Sequence, residues 1–114
     1  YSGGVRSGTD AARLIALGAS VVVYGVTGAL AMGGQITATG LKWHSDRSQE
    51  ERTRGLVAIL KANAGEASMM ARCTGKTRLH NLEPEDLRCV TLATSKMTGI
   101  PVPGYNVKSG PAVV

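Results

Sequence analysis

Two short glycine-rich stretches hold the residues of this 114-residue chain best suited to chemistry. One is Ser2-Gly3-Gly4-Val5-Arg6 and the other is Gly25-Val26-Thr27-Gly28. Glycine lets a backbone approach an anion without a Cβ in the way. A helix start offers unpaired N–H groups and partial positive charge. If each stretch closes a strand and opens a helix, consecutive units set two such cups side by side at one edge of a parallel sheet. Arg6 adds a permanent cation suited to a phosphate monoester. The competing reading is ordinary turn glycines that bind nothing.

The remaining candidates have plainer readings. Cys73 and Cys89 form neither a CxxC pair nor a zinc spacing, so they read as unpaired thiols. That usage points weakly to a reducing, cytoplasmic compartment. His44, beside Trp43, reads as exposed or locally packed. His80 reads as a structural group bonding a turn near Asn81. Glu83, Glu85 and Asp86 surround Pro84 and read as dipole partners of a short helix rather than as an acid–base pair. Met69 and Met70 read as core. No nucleophile–base pair emerges, so no catalytic residue is assigned.

These candidates need elements to position them. Thr9 reads as an N-cap, followed by Ala11, Ala12, Leu14, Ile15 and Leu17 at helical spacing and a stop at Gly18. Ser20–Tyr24 is a continuous β-branched run, which predicts a strand buried on both faces. A second helix opens at Thr27 or Gly28 and ends at Gly33-Gly34. Turn, helix, buried strand, turn and helix make a piece of βα winding. Residues 35–45 read as irregular. Ser48 and Glu51 form a capping box, and a helix follows with Leu56, Val57, Ile59, Leu60 and Ala64 on one face, bent at Gly65 and stopped at Gly75. Pro84 and Thr91 start shorter helical turns, the last ending at Gly99. Residues 105–114 read as an extended tail.

Composition limits the classes. The net charge is +5, with 4% aromatics and no Phe. The basic residues alternate with acids and lack a stacking platform, which argues against nucleic acid. No apolar run is long enough to span a membrane, because glycines, Ser20 and Thr27 interrupt the richest one. The chain is too short for a complete (β/α)8 barrel, which needs about 250 residues. It starts at Tyr1 in a turn, so the expectation is that either the N-terminus was lost or only part of a longer polypeptide is present.

The front motif, Ser2-Gly-Gly-Val-Arg-Ser-Gly-Thr-Asp-Ala-Ala, with Ala16-Leu-Gly-Ala and Val21-Val-Val-Tyr-Gly, resembles the end of an FMN-dependent (β/α)8 barrel. That pattern is shared by the glycolate-oxidase, type II isopentenyl-diphosphate isomerase and glutamate synthase groups. The rear motif, Gly75-Lys-Thr-Arg-Leu-His-Asn-Leu-Glu-Pro-Glu-Asp-Leu-Arg with Thr98-Gly-Ile-Pro, is similar to the segment after the barrel in the glutamate synthase family. The resemblance implies an α/β fold: the C-terminal portion of a TIM barrel over residues 1–34, then a helical extension over 46–104. It implies FMN as cofactor, held at Ser2, Gly3, Gly4, Arg6, Gly25, Val26 and Thr27. Relatives often carry Asp where Ser2 stands, and Thr or Arg where Val26 stands, so a side-chain contact is lost at position 26 while the backbone N–H stays.

The family usually binds an iron–sulfur cluster through three cysteines just after the second turn. The aligned positions here hold Gly34, Gly40 and Ser45, so the resemblance implies no cluster and no other metal. Electrons would then arrive by another route. The implied activity is an oxidoreductase that forms glutamate from a 2-oxo acid and ammonia, or N-methylglutamate with methylamine. Other subunits or a longer chain would complete it. The alternative is a non-catalytic fragment or assembly subunit.

Overall fold

The computed structural model describes residues 1–44 and 46–105. The described residues form four α-helices: α1 (Gly8–Ala16), α2 (Val26–Ala31), α3 (Gln49–Cys73) and α4 (Leu92–Thr98). An antiparallel hairpin, β1 (Gly34–Thr37) with β2 (Gly40–Trp43), lies between α2 and α3. Single 3-10 turns occupy Leu79–Asn81 and Pro84–Asp86.

The 25-residue α3 is the strut. Its start is the expected capping box: Ser48 accepts from the Glu51 N–H, and the Glu51 carboxylate accepts from the Ser48 N–H. It runs through Gly65 without a break. Thr74 caps its end, and Gly75 follows in the left-handed region at φ +79°. The expected apolar face is only half used. Val57 and Leu60 stay exposed, while the buried positions are Asn63, Ala67 and Ala71. Met69 is exposed too, against expectation, and Met70 packs at the edge of the core.

That core is made of small residues. Ala12 and Ala16 of α1 meet Ala67 and Ala71 of α3, with Leu82 closing one end. Alanine faces let helices approach closely, and two glycines take this to its limit. A Cβ on Gly8 would stand 2.2 Å from the Asn63 carbonyl oxygen, and one on Gly55 would stand 2.1 Å from the Ala31 carbonyl oxygen. α3 therefore holds both α1 and α2 by backbone contact.

Several sequence expectations change. The N-cap of α1 is Ser7, not Thr9: the Ser7 hydroxyl accepts from the Asp10 N–H at 3.2 Å. Within the stretch 35–45, read as irregular, residues 35–43 belong to the hairpin, with Ile36, Leu41 and Trp43 on one face. Ser20–Tyr24 forms no buried strand. Val23 makes one parallel bridge, to Ser2, and Val21 and Val23 are 65% and 49% exposed. A strand buried on both faces needs flanking layers that the described residues do not supply. His80 reaches back to the Ser20 carbonyl at 3.2 Å rather than bonding near Asn81. The remaining tail, 106–114, and Ser45 lie outside the described residues.

The three interior glycines of this packing divide by what surrounds them. Gly8→Ala and Gly55→Ala each force backbone apart and should destabilise the chain by about 2 kcal/mol or more. Gly65 has nothing within 4 Å of a Cβ position, so Gly65→Ala should stabilise it by about 1 kcal/mol. Thermal unfolding followed by circular dichroism checks the three signs; a neutral Gly8→Ala would sink the close-crossing account.

Candidate functional site

The two glycine-rich turns are neighbours. The Tyr1 nitrogen donates to the Val21 carbonyl at 2.7 Å, and the Val23 N–H donates to the Tyr1 carbonyl at 2.9 Å. The Thr27 hydroxyl then donates to the Val5 carbonyl at 2.6 Å, stapling the second turn to the first. Between them lies a cleft of about 540 Å³. All seven residues singled out from sequence line it: Ser2, Gly3, Gly4, Arg6, Gly25, Val26 and Thr27. Sequence reasoning missed its apolar wall, formed by Val23, Leu30 and Ile36. The alternation of Ile36, Leu41 and Trp43 about the Ala38-Thr39 turn was the available signal for Ile36.

The first turn is shaped by its glycines. Gly3 and Gly4 take φ values of +107° and +67°, which other L-residues rarely adopt. No atom lies within 4 Å of a Cβ position at either one. Gly25, at φ −83°, is under no such constraint.

Electrostatics differ between the two helix starts. At α1 the protein supplies its own anions. The Glu66 carboxylate accepts from the Gly8 and Thr9 N–H groups, each at 3.2 Å, and from the Thr9 hydroxyl. The Thr9 hydroxyl, with the Gly8 and Thr9 amides, holds the Glu66 carboxyl below the usual carboxylate range against the opposing pull of burial and of Asp10. Asp10 accepts from the Arg6 N–H and lies 3.6 Å from its guanidinium. Arg6 remains 84% exposed. Beneath α1, the Tyr24 hydroxyl donates to the Ser7 carbonyl at 3.3 Å. Burial raises the Tyr24 pKa, and the Glu66 and Asp10 carboxylates raise it further.

At α2 no side chain caps the start. The first backbone bond of this turn runs from the Ala29 N–H to the Gly25 carbonyl. The N–H groups of Val26, Thr27 and Gly28 have no acceptor among the described residues. The second cup is thus the one with amides to offer, while the first offers glycine backbone and Arg6. The Thr27 proton is committed to Val5, so its side chain acts as a staple rather than as a donor to a ligand.

The other candidates sit elsewhere. Lys76 pairs with Glu83 at 3.3 Å and Asp86 at 3.7 Å, so the acidic turn is a structural ion network. The hydrogen bond to Glu83 raises the Lys76 pKa. Cys73 is exposed and Cys89 buried, and both are free thiols. Gly34 and Gly40, two of the positions aligned with cluster ligands, belong to the hairpin. Among the described residues, no group of three or more His, Cys, Asp or Glu could hold a metal ion. No described helix is long and apolar enough to cross a membrane.

The Glu66 bridge carries a pH signature. Its folded-state pKa is lowered, so its contribution is full above the ordinary carboxylate pKa and is lost as pH falls through the lowered value. The unfolding midpoint should therefore drop between about pH 5 and pH 3, and Glu66→Gln should lower the midpoint at pH 7 and flatten that acid limb. An unchanged acid limb in the variant would show that Glu66 does not tie α1 to α3.

Comparison with known proteins adds one relation. No family model matches the chain, and no solved structure matches it. The chain is 33% identical over 132 aligned residues to the glutamate synthase large subunit-like protein of Rhizobium meliloti (strain 1021). It spans 30% of that relative's length. Over 90% of its own length, then, this chain is similar to a glutamate synthase large subunit-like protein, which supports a glutamate-synthase-related identity.

Proposed function

We propose that this chain is the C-terminal part of the FMN-binding (β/α)8 domain of a glutamate-synthase-like oxidoreductase and supplies the phosphate end of the FMN site. The observation that carries the proposal is the stapled pair of turns around one cleft. The donor set suits a phosphate monoester. Val26 and Thr27 with their uncapped amides, the open glycine backbone at residues 3 and 4, and Arg6 border the same volume. An anion there gains charge-assisted hydrogen bonds. The similarity to a glutamate synthase large subunit-like protein supports the same reading.

In this reading the flavin, when bound, supplies the redox chemistry. The chain's own residues hold and orient it. Gly3 and Gly4 keep side chains out of the cleft, the Thr27–Val5 bond fixes the spacing of the turns, and Arg6 adds a cation partly balanced by Asp10. The substrates in this proposal are a 2-oxo acid or glutamate, with ammonia or methylamine, and their binding groups lie in other subunits or in further chain.

A second reading, a non-catalytic assembly subunit, draws on a separate observation. The radius of gyration is 18.6 Å, against roughly 13 Å for a compact domain of this length. Val21 and Val23 are exposed beside their single parallel bridge. A fold of this shape is built to pack against something.

Titration of the isotope-labelled chain with FMN and with riboflavin separates the two. FMN should shift the amide resonances of residues 3, 4 and 26–28, and riboflavin, lacking the phosphate, should bind about tenfold more weakly. Gly4→Val should remove that preference for FMN. Equal responses to the two flavins, or shifts confined to other residues, would overturn the proposal.

A further inference from the structure

The extended segment 20–24 has little apolar packing to hold it, since Val21 and Val23 face outward and Val23 makes one parallel bridge. Polar contacts hold it instead. At its start, the Ser20 carbonyl meets the His80 ring at 3.2 Å. Along its length, Tyr1 exchanges backbone bonds with Val21 and Val23. At its end, the Tyr24 hydroxyl spends its proton on the Ser7 carbonyl at a long 3.3 Å. That carbonyl also accepts from the Ala11 N–H at 3.2 Å, so it is shared between two donors.

A phenol oxygen can accept a hydrogen bond as well as donate one. Among the described residues, one buried side-chain polar atom has no partner: the Asn63 Nδ2, on a residue that is 5% exposed. Native proteins rarely leave such a donor orphaned. The packing brings this donor and the free Tyr24 lone pair to one place. Gly8 lies against Asn63 at the α1–α3 crossing, and Ser7, which Tyr24 bonds, is the residue before Gly8. The Glu66 carboxylate, one turn further along α3, is already engaged by the Gly8 and Thr9 amides and the Thr9 hydroxyl. Burial, Glu66 and Asp10 all keep the phenol protonated, and a hydrogen bond from Asn63 works against them.

We propose that Asn63 is a positioning residue whose side-chain amide donates to the Tyr24 hydroxyl oxygen, so that the chain Asn63–Tyr24–Ser7 pins the end of the extended segment to α3 and α1 together. Tyr24 directly precedes Gly25, and the pin therefore sets where the second glycine-rich turn begins. It needs no ligand in the cleft and stands or falls apart from the proposed function.

The experiment uses the full chain, labelled with 15N and with 13Cζ-tyrosine. Tyr24→Phe removes the hydroxyl alone. It should move the Asn63 side-chain NH2 resonances and speed their exchange with solvent by about tenfold. Asn63→Leu keeps the size and removes the donor. It should raise the ionisation midpoint of Tyr24, read from its Cζ resonance, because Glu66 and Asp10 then act unopposed. Thermal unfolding closes the cycle: each single variant should lower the midpoint by about 5 °C, and the double variant by about the same amount rather than twice as much. Asn63 resonances that Tyr24→Phe leaves in place would overturn the pin, as would an unmoved Tyr24 titration in Asn63→Leu or additive losses in the double variant. Asn63 resonances that respond to Glu66→Gln but not to Tyr24→Phe would assign the amide to Glu66 instead and also overturn it. If Asn63→Leu does not fold, the Tyr24→Phe spectra decide alone.

Discussion

Two places where backbone touches backbone set the geometry of everything else. At Gly8 and at Gly55, α3 meets its neighbours with no room for a methyl group. The contacts lie at Asn63 and Gly55 along the strut, eight residues and about 12 Å apart. Each contact fixes one of the two helices that follow the glycine-rich turns. With both helices held on one rigid rod, the turns that precede them have little freedom to separate. The Thr27–Val5 hydrogen bond and the Ser2–Val23 bridge then set the final spacing. Side-chain packing contributes less here than usual, because the buried residues between α1 and α3 are mostly alanines.

The same strut decides which helix start is left open. Glu66 lies on α3 three residues after Asn63, so the contact that brings Gly8 against the strut also brings the Glu66 carboxylate onto the first amides of α1. With Ser7 and Asp10 also engaged, α1 has no unsatisfied donors of its own to present. At the other crossing, Gly55 meets the end of α2 rather than its start. No acidic residue of α3 reaches Val26 or Thr27, and the amides there stay uncapped. The asymmetry is therefore a consequence of where along each short helix the strut makes its contact. The two turns, read alike from sequence, therefore differ: the helix after the first is already neutralised and the start of the helix after the second is not.

How much of this was legible in the sequence depends on the range of the interaction. Local signals read correctly: the Ser48–Glu51 capping box, the Thr91 cap, and the stops at Gly18, Gly75 and Gly99 all follow from residues within four positions of one another. The seven cleft residues were legible as types, because glycines beside helix starts let backbone approach an anion, although the same pattern also reads as ordinary turns. Long-range contacts were not. Ser7 displaced Thr9 as cap because Glu66, far along the chain, claims the Thr9 hydroxyl. His80 bonds Ser20 across the fold, a partner that no spacing rule proposes. Met69 and Leu60 look like core by periodicity but face outward, since the strut buries only its small-residue face. The hairpin was passed over because its turn lacks the Asn-Gly or Asp-Gly pair that usually marks one.

The exposed aliphatic residues fall into two groups with different meanings. Val21 sits on an extended segment in which Val23 makes one parallel bridge, to Ser2, and parallel strands are ordinarily covered on both faces. That surface asks for more sheet, from further chain or from another subunit. Val26, Leu30 and Ile36 border a cleft that also contains the uncapped amides and Arg6. More sheet would not satisfy those amides, whereas an anion with an apolar body would satisfy both parts at once. Assembly and cofactor binding thus draw on adjoining surfaces that share Val23, and completing the sheet on one side of that residue would deepen the cleft on the other. Under the proposed function, packing against the rest of an enzyme and holding a flavin nucleotide would be one requirement, met by apolar side chains that the thin alanine core leaves facing outward.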